Sequence, residues 1–279
     1  MRKGKYCHAL LLNAMLILVF GLSSVVSAAT SCDVDGDGRT GLAETIYSLQ
    51  VVAGLKPAPP TRIYLILESS NTFTPLTGAT TIPIPIGFPE GDSWSRVIAL
   101  PFDFNFYDTV YPETSLITVT DDMYISFNPY VSGIETYRND CPFDDTEPNN
   151  MIAPFWDDGI AADTTAQLLY KTEGIAPNRR LIIEWRDFDV IGGQVSTLYI
   201  ISVKVNHQVV LFENGDIEFH YGPRQSPNPD NIDCRHQDLG CSATIGIESG
   251  YGSNHIIDLI ECEQGTITNG RVIRFIRTD

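Results

Sequence analysis

The chain has 279 residues, of which 43% are hydrophobic, and a formal net charge of −17 at pH 7. This length and apolar content are sufficient for one sizeable core. So large an excess of acid repels nucleic-acid phosphates and anionic membrane surfaces, and therefore we expect no nucleic-acid partner.

Residues 1–28 have the pattern of a secretory signal peptide of bacterial type. Arg2, Lys3 and Lys5 form a basic start, an apolar run extends from Ala9 to Leu22, and small residues follow. The run is shorter than the ~20 residues that a membrane-spanning helix needs. We therefore expect a mature chain without a transmembrane segment, either secreted or held on the outer cell surface. The alternatives are a retained N-terminal anchor and a lipid attached at Cys32.

An acidic segment, residues 33–44, begins the mature chain. It carries carboxylates at loop positions 1, 3, 5 and 12 and a glycine, Gly38, at position 6, which is the spacing of an EF-hand calcium loop. Gly38 permits the positive φ of the sharp bend. The alternative is a solvated acidic turn. The predicted Ca²⁺ ligands are the side chains of Asp33, Asp35, Asp37 and Glu44 and the backbone carbonyl of Arg39.

Apolar residues recur at helical spacing from Leu42 to Leu55, and Gly54 and Pro57 end the pattern. Residues 29–56 therefore form a calcium loop and an exit helix, with no entering helix before them. This arrangement resembles one half of a dockerin repeat. Dockerins carry two such repeats, whereas this sequence has one copy. For a site with so little preorganisation we expect a Kd of ~10⁻⁴–10⁻³ M.

Five of the six cysteines follow the signal peptide. In an exported protein, pairs among them are expected to be disulfides rather than metal ligands. Cys234 and Cys241 flank a short polar loop and could pair, which would leave Cys141 with Cys262, but the sequence does not fix the pairing. Cys32 is then free, lipidated or paired between molecules.

A Pro-rich linker, residues 57–61, precedes a second domain at residues 62–279. Its segments are rich in Ile, Val, Tyr and Phe and are separated by Gly, Pro, Asn and Asp, which predicts a mainly β fold, a two-sheet antiparallel β-sandwich. The predicted strands are Arg62–Glu68, Phe102–Phe106, Leu116–Thr120, Tyr124–Asn128, Gln167–Lys171, Arg180–Arg186, Thr197–Val205, Gln208–Glu213, Asp216–Tyr221, Ala243–Glu248, His255–Ile260 and Arg271–Arg277.

The clearest hairpin is centred on Asn214-Gly215. This pair favours a two-residue turn with positive φ at both positions. Alternation after the turn predicts Ile217, Phe219 and Tyr221 on one face of the strand, with Glu218 and His220 on the other.

The second domain contains a characteristic series of segments in a fixed order: Leu100–Tyr107, Ile125–Phe127, Asn150–Asp158, Leu169–Thr172, Leu181–Trp185 and Ala243–Glu248, with Ile152–Trp156 the most specific. Over residues 97–277 this series resembles the extracellular β-sandwich domain of nidogen, the NIDO domain. The resemblance implies a surface or matrix module, usually adhesive, with no catalytic residues to carry over.

Candidate catalytic residues are few. The histidines form no metal-ligand spacing, and no nucleophile elbow or phosphate loop is present. Acids beside tryptophans, namely Glu184 and Asp187 around Trp185 and Asp157-Asp158 after Trp156, could serve a glycosidase. We instead expect both tryptophans to pack in the core. The acidic clusters Asp140–Glu147 and Asp157–Asp163 are either solvated loops or a second calcium site.

The sequence therefore predicts a secreted or cell-surface calcium-binding protein without enzymatic activity, which acts in adhesion or assembly with an extracellular protein or glycan. Two alternatives belong to other classes. One is a carbohydrate-binding module in which exposed aromatics such as Trp94, Tyr107 or Tyr130 stack on sugars. The other is a hydrolase that uses the acids near Trp156 or Trp185.

Overall fold

Within the described residues, strands make up nearly all the regular structure in the computed structural model of the protein, in keeping with the β-branched and aromatic residues of the predicted second domain. In chain order they are β1 (Tyr64–Ser70), β2 (Thr80–Ile82), β3 (Ser95–Ala99), β4 (Phe104–Phe106), β5 (Thr109–Tyr111), β6 (Leu116–Thr120), β7 (Ile125–Ser126), β8 (Met151–Trp156), β9 (Gly159–Ile160), β10 (Gln167–Glu173), β11 (Arg180–Ile191), β12 (Ser202–Phe212), β13 (Ile217–Tyr221), β14 (Thr244–Glu248), β15 (Ile257–Cys262) and β16 (Arg271–Arg277).

The structure describes residues 64–87, 94–128, 148–191, 202–224, 242–250, 256–262 and 265–278, and the single residues 46, 50, 139 and 143. The predicted signal peptide, calcium loop and linker lie outside these ranges. Ile46 and Gln50, both within the predicted helix Leu42–Leu55, have helical backbone. In the described part of the chain, no helix is both long enough and apolar enough to cross a membrane.

Two antiparallel sheets form the predicted sandwich, which is thereby confirmed. Sheet A has the order β1-β16-β13-β12-β11-β10-β2, with β9 paired to β11, and sheet B has the order β15-β14-β8-β7-β6-β3. β4 and β5 form a separate hairpin. The first and last strands are neighbours at one edge of sheet A, paired from Tyr64 with Arg277 to Ser70 with Arg271.

The core lies between the two sheets and follows the alternation of the strands. On β13 the side chains of Ile217, Phe219 and Tyr221 are buried, whereas Glu218 and His220 point outward and contact each other at 2.8 Å. The predicted faces of this strand are confirmed. Aromatic rings from both sheets fill much of the interior, which is typical of a sandwich core.

The turn at Asn214-Gly215 differs from the prediction. Gly215 has a φ of +90°, but Asn214 is not among the residues with positive φ. The Phe212 N–H donates to the Asp216 carbonyl, and the Gly215 N–H donates to the Phe212 carbonyl at 2.8 Å. The connection is therefore a three-residue loop that ends on a left-handed glycine, so that only one residue needs positive φ.

Strand β8 was not predicted, because Pro154 interrupts its pattern and proline is rare in central strands. The structure places a bulge at this point: Thr244 pairs with Trp156, and Gly246 pairs with Ala153. The missing N–H of Pro154 therefore breaks no regular ladder. The bulge also puts Phe155 into the main core and Trp156 into an outer apolar cluster with Tyr124, Phe143, Met151 and Ala153.

Strand β12 joins two segments that were predicted to be separate. The strand runs through the predicted break at Asn206-His207, although its pairing with β11 shifts register there, at a bulge between Trp185 and Phe188, and its pairing with β13 reaches only as far as His207. The strand thus keeps its alternation, and Val205, His207, Val209 and Leu211 are all buried. The short strands β2, β3, β5 and β9 were also not predicted.

A strap, defined as residues 71–79, runs between β1 and β2 and therefore between strands at opposite ends of the sheet A order. The strap covers part of the outer face of sheet A, where Leu76 packs with Leu169, Ile182 and Val210. Its polar contacts reach successive strands: Gln208 Nε2 donates to Thr74 O at 3.0 Å, Leu76 N to Glu184 Oε2 at 2.7 Å, and Lys171 Nζ to Thr77 O at 3.1 Å.

Candidate functional site

The predicted calcium ligands Asp33, Asp35, Asp37, Arg39 and Glu44 all lie outside the described residues. Their site therefore stays a prediction. In the sandwich, the structure tests the acids and aromatics that the sequence singled out for hydrolysis, sugar binding or a second metal ion.

Two Asp-Asp turns meet at one end of sheet B. The Asp157 N–H lies 3.4 Å from the Asp122 carbonyl, and the Trp94 N–H donates to Asp121 Oδ2 at 3.0 Å. The Ser242 hydroxyl donates to Asp157 Oδ2 at 2.6 Å. A Cβ at Gly159 would lie 2.2 Å from the Asp121 carbonyl oxygen, so this close approach requires glycine. These contacts connect four segments, namely the loops before β3 and β14 and the turns after β6 and β8.

Asp163, in the second predicted calcium cluster, already has a cation beside it. Hydrogen bonds from the Thr165 hydroxyl and backbone N–H, together with Lys204 Nζ at 3.1 Å, lower the pKa of Asp163 to about 2. Lys204 also contacts Asp189 Oδ2 at 2.9 Å. Among the residues that the structure describes, no group of three or more His, Cys, Asp or Glu side chains could hold a metal ion. Most of Asp140–Glu147 lies outside them.

Glu184, a candidate acid for the hydrolase alternative, lies under the strap. Its carboxylate is completely buried and accepts hydrogen bonds from Leu76 N–H at 2.7 Å, Gln208 Nε2 at 2.6 Å and Arg186 Nε at 2.6 Å. Every oxygen thus has a donor, which is what a buried carboxylate requires. Asp187 Oδ1 accepts from Asn206 Nδ2 at 3.2 Å. Both acids hold neighbouring backbone and side chains in place.

The two tryptophans beside these acids are buried, as expected. Trp156 packs against Tyr124 and Phe143 on the outer side of sheet B, and the Trp185 indole N–H donates to the Thr120 carbonyl at 2.8 Å. Neither ring offers a face to a sugar.

The aromatics proposed for the carbohydrate-binding alternative were predicted to be exposed, and for two of them this is wrong. Trp94 is 7% exposed and Tyr107 is 3% exposed. The Tyr107 hydroxyl donates to the Ile247 carbonyl at 3.0 Å, and burial, with Asp258 nearby, raises the pKa of this phenol. Both side chains instead join elements of the sandwich. Tyr130 lies outside the described residues.

His207 was not singled out by the sequence, because Asn206-His207 resembled a break between strands. Its ring is stacked on Trp185 and on Phe155, with centroid distances of 5.1 Å and 5.8 Å. Burial lowers the pKa of His207 to about 3, so the ring is neutral near pH 7. Alternation carried through β12 would have placed it in the core.

Cys262, at the end of β15, is the one cysteine within the described residues. The predicted pairings of Cys141 with Cys262 and of Cys234 with Cys241 therefore stay predictions.

Comparison with known proteins agrees with the sandwich geometry. Neither the curated proteins nor the solved structures give a significant match. A protein-family model described as NIDO related matches residues 63–270, which is more than half of the chain and contains most of the described sandwich. The chain therefore belongs to the NIDO-related family.

Proposed function

We propose that this protein is a secreted or cell-surface, calcium-binding protein without enzymatic activity that acts in adhesion or assembly. The observation that carries the proposal is the NIDO-related sandwich, a domain type found outside the cell. The acidic loop at residues 33–44, which has the EF-hand ligand spacing, supports calcium binding.

In the proposed mechanism, Ca²⁺ binds the carboxylates of Asp33, Asp35, Asp37 and Glu44 and the carbonyl of Arg39. Without the ion, four crowded carboxylates repel one another, and a short helix after them is marginal on its own. Calcium would therefore stabilise the segment from Leu42 to Leu55 and the apolar stripe that it carries, which can then dock on the sandwich or on another protein.

The partner class is an extracellular protein or glycan. A protein is better supported, because Trp94 and Tyr107 are buried and are therefore not available to stack on a sugar. The hydrolase alternative is weakened in the same way, since Glu184 is completely buried in an ion pair and Asp157 accepts the Ser242 hydroxyl.

Calorimetric titration of the mature chain, residues 29–279, with Ca²⁺ tests the first half of the proposal. We expect one site with a Kd of ~10⁻⁴–10⁻³ M. Asp33→Ala and Glu44→Ala should each abolish it, whereas Asp108→Ala, which removes an exposed acid of the sandwich, should leave it intact. No heat, or heat unchanged in both loop variants, would contradict calcium binding at this loop.

Beads coated with the mature chain test the second half. We expect calcium-dependent clustering of the beads or their attachment to an extracellular protein, reversed by EDTA and lost in Glu44→Ala. A glycan array with specific signal, or turnover of a glycoside or peptide panel, would instead support one of the two alternatives. Attachment that is unaffected by EDTA would show that adhesion does not depend on calcium, which contradicts the proposed mechanism.

A further inference from the structure

A small cavity lies at one end of the sandwich, between β12, β13 and the turn that precedes β16. It is partly open to solvent and has a volume of about 10 Å³, which is what the centre of a single water molecule requires. Its lining includes Phe155, His207, Tyr221, Ile267, Asn206 and Thr268. The lining of the cavity is therefore part apolar and part polar.

His207 is the group in this lining that most needs a partner. The side chain is 1% exposed, and neither Nδ1 nor Nε2 has a hydrogen-bond partner among the residues that the structure describes. A neutral imidazole carries one N–H donor and one acceptor nitrogen. Leaving that N–H without an acceptor in the interior costs free energy, and most buried polar groups avoid this.

The packing around the His207 ring restricts which groups can form a hydrogen bond with its nitrogens. Phe155 and Trp185 lie nearly parallel to the imidazole, with interplanar angles of 18° and 21°. Hydrogen bonds to the two ring nitrogens lie in the plane of the ring, so a partner must approach the edge of the ring, and it must be small enough for the cavity. One histidine is also too few for a metal site, because a bound metal ion needs several ligands.

We propose that the cavity is a binding site for one ordered water molecule, held by a ring nitrogen of His207. Water fits the volume, can donate or accept, and finds further polar residues in the lining, Asn206 and Thr268 among them. A water that accepts the ring N–H supplies the acceptor that this buried donor otherwise lacks. The site explains how a histidine is accommodated in a row of otherwise apolar inward residues on β12.

The test compares the wild-type mature chain with His207→Phe, which keeps an aromatic ring for stacking but removes both nitrogens. The control is His220→Phe, which changes a histidine on the outer face of β13. High-resolution crystal structures of the three proteins should show one ordered water at the cavity in the wild type and the control, and its loss in His207→Phe.

NMR on the wild type gives an independent result that does not depend on the folding of the variant. A bound water should give a nuclear Overhauser cross-peak with the ring protons of His207. The sign of this cross-peak should be that of a water molecule that tumbles with the protein, not that of bulk water. A dry cavity, no such cross-peak, or a water that keeps its position in His207→Phe would each overturn the proposal.

Discussion

The Glu184 carboxylate and the Arg186 guanidinium form an ion pair at 2.6 Å on the outer face of sheet A, beneath the strap. The carboxylate is completely buried, whereas the guanidinium keeps 24% of its side chain exposed and also donates to the Leu76 carbonyl. The Leu76 N–H donates to Glu184 as well, so the ion pair binds both backbone polar groups of this strap residue.

Replacing Glu184 by alanine should lower the free energy of unfolding by about 3–5 kcal/mol, because the partly buried Arg186 guanidinium and two buried donors lose their acceptor. Urea unfolding measures the loss. The control is Glu173→Ala, which removes a more exposed pair with Arg180 and Lys171 and should cost less than about 1 kcal/mol. Similar losses in the two variants would show that Glu184 does not anchor the strap.

Acid should destabilise the sandwich partly through His207. Its pKa is about 3 in the fold and near 6.5 when unfolded, so below pH 6.5 the unfolded chain binds a proton that the fold does not. This contribution to stability is complete above pH 6.5 and is lost progressively toward pH 3, by about 5 kcal/mol. Unfolding free energies measured against pH should fall less steeply for His207→Phe than for the wild type. Equal slopes would contradict the lowered pKa.

Replacing Gly159 by alanine should destabilise the fold by about 3 kcal/mol or more, since the new Cβ would meet the Asp121 backbone carbonyl at 2.2 Å. Gly78→Ala is the matched comparison. Gly78 has a φ of +62° but no atom within 4 Å of an added Cβ, so only about 1 kcal/mol of backbone strain is expected. Thermal unfolding of the two variants separates a steric clash from conformational strain.

Tryptophan fluorescence should report an entirely buried set of indoles. The chain has three tryptophans, Trp94, Trp156 and Trp185, and none is more than 7% exposed. We expect blue-shifted emission that iodide quenches weakly, with a red shift on unfolding. Added oligosaccharides should leave the spectrum unchanged. Strong quenching in the native state would contradict the burial of at least one indole.

Strong local patterns were sufficient to predict much of the sheet structure. Leu116–Thr120 and Arg271–Arg277 have the predicted bounds, and the faces of β13 follow from alternation. The missed strand β8 shows the limit of this reasoning. Its Pro154 is compatible with a central strand only because β14 pairs with it across a bulge, and that pairing is a tertiary contact.

The candidate sites were less accessible to prediction for a related reason. Acids beside tryptophans suggested a hydrolytic cleft. Glu184 is instead paired with Arg186 and accepts a hydrogen bond from the strap, which is more than 100 residues away in sequence. The strap itself has no periodic apolar pattern and gave no signal. The burial of Trp94 and Tyr107 likewise depends on contacts between elements distant in the chain.

The antiparallel pairing of β1 with β16 determines how the sandwich responds to mechanical load. Tyr64 opposes Arg277, so the two strands enter and leave at the same corner of the molecule. Tension between these ends pulls on one hydrogen-bonded pair at a time and unzips the edge, instead of shearing all pairs together. Force spectroscopy through these ends should therefore show rupture at low force, with the peeling of β1 as the first event. An adhesive contact made elsewhere on the sandwich would transmit tension through a different set of strands.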